Sequence, residues 1–103
     1  MPVNKIEWEI LNATADDWEN LEGIYRMLQT SLPAAESPLL REVADGLRGL
    51  VERGLLSARL ADASTPIAKE HDLSYVWNGW FTMTPLGREA WSQAAESYLS
   101  QPN

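Results

Sequence analysis

The sequence predicts an α+β domain, mainly α, with three N-terminal helices, a β-hairpin and a C-terminal helix. Three observations carry this. Apolar residues recur at three- and four-residue steps through the first half of the chain. The period then switches to two after Gly54, in "LLSARLA". Finally, "FTMTPLGREAW", Phe81 to Trp91, reads as a strand running straight into a helix.

In "NKIEWEILN", residues 4–12, apolar Ile6, Trp8, Ile10 and Leu11 suit a packed helix without excluding an extended start. Thr14 with Asp17 has the spacing of a capping box, in which the hydroxyl accepts from an orphan amide and first-turn carboxylates favour the positive helix end. A second helix is therefore expected from Thr14, with Trp18, Leu21, Ile24, Tyr25 and Leu28 on its apolar face. Pro33, in "SLPAAESP", stops it.

Ser37 and Pro38 are placed as N-cap and first residue of a third helix, with Leu40, Val43, Leu47, Leu50 and Val51 as its buried stripe. Gly54 is placed to end it in a left-handed cap. Leu56, Ala58 and Leu60 then alternate with polar neighbours as in a half-buried strand, and a polar loop from Asp62 to Asp72 follows. "YVWNGWFTMT" is aromatic and β-branched, and its Asn78-Gly79 pair signals a tight hairpin turn or a bulge. Thr84 caps a last helix with Pro85 at its first position and Leu86, Ala90, Trp91, Ala94, Tyr98 and Leu99 on its apolar face. Gly87 allows that first turn to approach a neighbour closely.

The 103 residues form one expected domain, 1–103, with the last few residues disordered. There is no cysteine, hence no disulfide frame and no thiolate metal site. No stretch approaches a membrane span, and "MPVNKIEWEI" has acids where a signal peptide needs basic then apolar residues, so a cytoplasmic protein is expected. The net charge of -7 is the wrong sign for a surface that seeks phosphate throughout. The acid is concentrated early: residues 1–36 hold Lys5 and Arg26 against Glu7, Glu9, Asp16, Asp17, Glu19, Glu22 and Glu36.

The run of helices, then "LVERGLL", a hairpin and "FTMTPLGREAW", resembles the winged helix-turn-helix domains of bacterial transcriptional regulators of the PadR and MarR type, over most of residues 14 to 99. That resemblance implies that residues 38 to 53 are a recognition helix and the following hairpin a wing. It implies duplex DNA as partner and a homodimer through the terminal helices, whose paired recognition helices enter successive major grooves. Winged helices also serve as protein-docking modules, so fold alone does not choose between these.

On the expected recognition helix, removing the buried stripe leaves a strip of Arg41, Asp45, Arg48 and Glu52 beside one of Glu42, Gly46, Gly49 and Arg53. Arg41 with Asp45 and Arg48 with Glu52 have i,i+4 spacing and can pair internally, or open to offer an arginine fork to guanine or phosphate. Arg41, Arg48 and Arg53 from the helix, with Arg59 and Lys69 from the wing, are the candidate DNA contacts. The alternative is docking on a protein. Gly46 and Gly49 would offer a strip bare of side chains, and Tyr75, Trp77 and Trp80, with Phe81, an aromatic surface of the kind that anchors interfaces. Packing of those aromatics on the core is the simpler account of at least half of them.

Glu70, His71 and Asp72 are adjacent, but loop neighbours rarely converge on one metal and no second cluster exists, so no metal and no cofactor are expected. No glycine-rich phosphate loop is present, nor a nucleophile with a base, and the chain is not expected to be an enzyme.

Overall fold

The structure, a computed structural model, describes residues 3–60 and 75–99. The polar loop from Asp62 to Asp72, with Lys69, Glu70 and His71, lies outside the described residues, as do the side chains of Leu60, Tyr75 and Leu99 and the last residues expected to be disordered. The elements run α1 (Lys5–Ala13), β1 (Glu19–Asn20), α2 (Leu21–Ser31), a single 3-10 turn (Ala34–Glu36), α3 (Leu40–Glu52), β2 (Leu56–Leu60), α4 (Tyr75–Asn78), β3 (Gly79–Met83) and α5 (Pro85–Leu99). The fold is thus α+β and mainly helical, with a three-stranded antiparallel sheet in the order β1-β3-β2. Among the described residues no helix is long and apolar enough to cross a membrane.

Helix α1 begins where Asn4 accepts from the Glu7 amide at 2.8 Å and the Glu7 carboxylate accepts from the Asn4 amide at 2.9 Å, a reciprocal cap. It ends at Thr14, which corrects the expected start of a helix there. The Thr14 side chain is buried and its hydroxyl bonds the carbonyls of Ile10 and Leu11, at 3.1 and 3.0 Å. With that hydroxyl already engaged, the cap of α2 falls to Asn20, whose side chain accepts from the Gly23 amide at 2.9 Å. Trp18 accordingly precedes β1 rather than lying on the apolar face of α2.

Helix α3 also starts later than Ser37-Pro38 suggests. Its N-cap is Leu39, whose amide donates to the Glu42 carboxylate at 2.9 Å. Leu40 thus stands in the first turn and is exposed, whereas Val43, Ala44, Leu47, Leu50 and Val51 are buried. The other end matches expectation. Gly54 takes φ +77°, its amide bonds the Val51 carbonyl at 3.0 Å and the Leu55 amide bonds the Leu50 carbonyl at 2.9 Å, the paired bonds of a Schellman stop.

Strands β2 and β3 pair from Leu56 opposite Met83 to Leu60 opposite Gly79, so their connection spans 61–78 and Asn78-Gly79 is not its turn. Instead Asn78 closes the one-turn helix α4 and Gly79 opens β3. At the strand-to-helix junction the Thr84 hydroxyl donates to the Gly54 carbonyl at 2.7 Å and accepts from the Gly87 amide at 2.9 Å. Gly87 sits so near that a Cβ there would lie 2.0 Å from the Leu55 carbonyl oxygen. One hydroxyl and one bare backbone therefore join the stop of α3 to the start of α5.

The core gathers Ile10, Leu11, Ile24, Leu28, Val43, Leu47, Leu50, Leu55 and Phe81 between α1, α2, α3 and the inner sheet face. Helix α5 returns across α1, where Trp8 stacks near Trp91 at 6.4 Å and near Tyr98 at 5.7 Å. The Trp8 indole donates to the Trp91 carbonyl at 3.0 Å and the Tyr98 hydroxyl to the Val3 carbonyl at 2.6 Å. Buried ring area and satisfied polar tips combine to hold the two ends of the chain together. Leu86, expected on the inner face of α5, is exposed.

Candidate interaction surfaces

The solvent face of α3 carries Arg41, Glu42, Asp45, Arg48 and Glu52. Arg48 and Glu52 form the expected pair, with Nε 4.0 Å from the carboxylate. Arg41 makes no ion pair among the described residues, so its guanidinium is solvated. Two arginines thus share this face with three carboxylates.

In the neighbouring strip Glu42 is exposed, but the two glycines face α1 rather than open solvent. Helix α1 lies over them so closely that a Cβ on Gly46 would be 2.7 Å from Ile10 Cδ1, and one on Gly49 3.9 Å from the Glu7 carboxylate. The bare backbone is used within the chain, for contact between α1 and α3. Arg53 belongs to the same seam: its Nε donates to the Gly49 carbonyl at 3.1 Å and its terminal nitrogen pairs with the half-buried Glu7 carboxylate.

On the sheet, Arg59 does not extend toward solvent as a wing-tip cation would. Its guanidinium lies 4.4 Å from the centre of the Trp18 ring. Trp80 is half-buried beside it on the central strand, opposite Arg59 on one side and Asn20 on the other. Phe81 is fully buried, as the simpler account of the aromatics has it.

Trp77 departs from that account, with 58% of its surface exposed. Because α4 is a single turn seated against α2 and α3, Val76 enters the core while Trp77 points outward. Trp77 lines a cleft of about 420 Å³ together with Leu21 and Tyr25 of α2 and Leu40 of α3, and the paired Glu22 and Arg26 line it too. Leu39, 69% exposed, precedes Leu40 in the chain. Leu39 and Leu40 are the functional candidates that sequence reasoning missed. Leu40 fits the stripe by its spacing to Val43 and Leu47, so the pattern alone gave no signal that it lies outside the core.

A second cleft, of about 300 Å³, lies between α1 and α2 and is lined by Glu9, Asp16, Asp17 and Glu19 with Met27 at its side. Partial burial pushes the Glu9 carboxyl above its ordinary range, and the nearby Lys5 ammonium opposes that shift. Among the described residues no group of three His, Cys, Asp or Glu side chains is arranged to hold a metal ion.

What the geometry offers is therefore an apolar cleft rimmed by one ion pair, an acidic cleft, and a helix face of mixed charge. No family model, curated protein or solved structure matches this chain.

Proposed function

We propose that the chain is a winged-helix module that docks another protein through the cleft between α2, α3 and α4, and that it is neither an enzyme nor dependent on a cofactor. Support for the winged-helix reading is the element order α1-β1-α2-α3-β2-β3 with the sheet order β1-β3-β2. The docking reading rests on one observation above all: Trp77 stands exposed over an apolar cleft with Leu21, Tyr25 and Leu40. Tryptophan and tyrosine in a pocket are the side chains that most often anchor protein interfaces. A cytoplasmic location belongs to the same proposal.

Duplex DNA is the second reading, favoured by Arg41 and Arg48 on the solvent face of α3. Against it stand Glu42, Asp45 and Glu52 on that face, the tie of Arg53 to Glu7, and a net charge of -7. Carboxylates facing a phosphate backbone offset most of what two arginines gain.

The experiment is photo-crosslinking from p-benzoylphenylalanine at position 77, in cells that express the protein. The expected result is one discrete adduct with another protein, lost when Leu40→Asp puts a charge in the cleft. No adduct at position 77, or the same adducts from exposed position 93 on α5, would contradict the docking reading.

A further inference from the structure

Strand alternation sends Leu56, Ala58 and Phe81 into the core, so Ser57, Arg59, Trp80 and Thr82 project from the opposite face of the sheet. Trp18, just ahead of β1, lies under the Arg59 guanidinium at 4.4 Å. Two features separate this arginine from the others. Arg26, Arg48 and Arg53 are ion-paired and Arg88 donates to the Ala15 carbonyl, whereas Arg59 has no hydrogen-bond acceptor and no ion pair among the described residues. Arg41 also lacks one, but it is exposed and water serves it; the Nε of Arg59, like that of Arg48, is withdrawn from solvent without a hydrogen-bond partner, but Arg48 has the Glu52 carboxylate 4.0 Å away and Arg59 has no such neighbour among the described residues.

A guanidinium held over an indole by its cation–π contact still has its terminal N–H groups to donate, and these match an oxyanion through two parallel N–H donors. That contact also fixes the side chain, so little rotamer freedom remains to be lost on binding. We propose that Trp18, Arg59 and Trp80 form a binding site for a carboxylate, with Arg59 as the fork and the indoles as its walls. A monoanion is favoured over a phosphate dianion because the single guanidinium offsets one negative charge and the second would face a chain of net charge -7. The carboxylate belongs to an acidic side chain or chain terminus of the docked protein. That source rests on the docking reading, whereas the site itself does not.

The test is a titration of the full chain with N-acetylglycine, followed through the side-chain Nε–Hε resonances of its arginines. The Arg59 resonance is expected to shift saturably and ahead of Arg41, and the apparent affinity to fall about tenfold in Arg59→Lys, which keeps the charge and loses the fork. Inorganic phosphate is expected to bind more weakly. A shift no larger than that of Arg41, the same shift from chloride at equal ionic strength, or tighter binding of phosphate would overturn the proposal. Should Arg59→Lys lose its far-UV circular dichroism spectrum, the wild-type comparison of N-acetylglycine with chloride decides alone. A crosslink at position 77 without carboxylate binding would leave the docking module and remove this site; carboxylate binding without a crosslink would do the reverse.

Discussion

Gly46 and Gly87 both lie where a side chain would collide, but the colliding atoms differ. A Cβ at Gly46 meets the terminal methyl of Ile10, which can swing aside, and alanine would add about 1 kcal/mol of helix propensity. A Cβ at Gly87 meets the Leu55 carbonyl oxygen at 2.0 Å, on backbone held by the Schellman stop of α3. Gly87→Ala is therefore expected to cost about 1–3 kcal/mol and Gly46→Ala close to nothing, as read from urea midpoints. Equal losses would contradict this ranking. Glu9 gives a prediction in pH. Its folded-state carboxyl is raised by desolvation, so the fold prefers the protonated form, and stability present below the unfolded pKa is lost as pH rises through the folded one. Glu9→Gln should stabilise the protein at neutral pH, with the gain vanishing in acid; a gain independent of pH would show that ionisation is not its cause.

Among the elements, the strongly periodic helices α2 and α3, the glycine stop at Gly54 and the Thr84-Pro85 start of α5 were legible in the sequence. Each is written in local chemistry. The start of α2, the strand β1 and the helix α4 were not, because tertiary partners decide them. Thr14 satisfies α1 instead of starting α2, and β1 has only two residues, too few to show a period. Asn78-Gly79 has turn chemistry, yet β3 begins there because Gly79 pairs with Leu60. The surfaces were legible in part: Arg41 is exposed and Arg48 half-buried on the outer face of α3, but the glycines and Arg53 lie against α1, a packing that spacing along one helix cannot reveal. The α3-to-α5 junction depends on one side chain, since Thr84 both caps α5 and donates to Gly54. Thr84→Val should cost about 1–2 kcal/mol and Thr84→Ser much less; equal costs would mean that the methyl, not the hydroxyl, holds the junction.

At the scale of the whole molecule, the apolar faces of the terminal helices meet each other through Trp8, Trp91 and Tyr98 within one chain. With those faces used internally, the protein is expected to sediment as a monomer; a concentration-independent dimer would restore the paired-groove arrangement. Charge is the other whole-molecule property: the net charge of -7 opposes a phosphate backbone, and Arg41 and Arg48 favour one. The most direct measurement of that balance is fluorescence anisotropy of a labelled mixed-sequence duplex, titrated with the protein at several salt concentrations. A docking module gives no binding even at the lowest salt. Binding that weakens steeply as salt rises would contradict it, and would put Arg41 and Arg48 on the phosphate backbone.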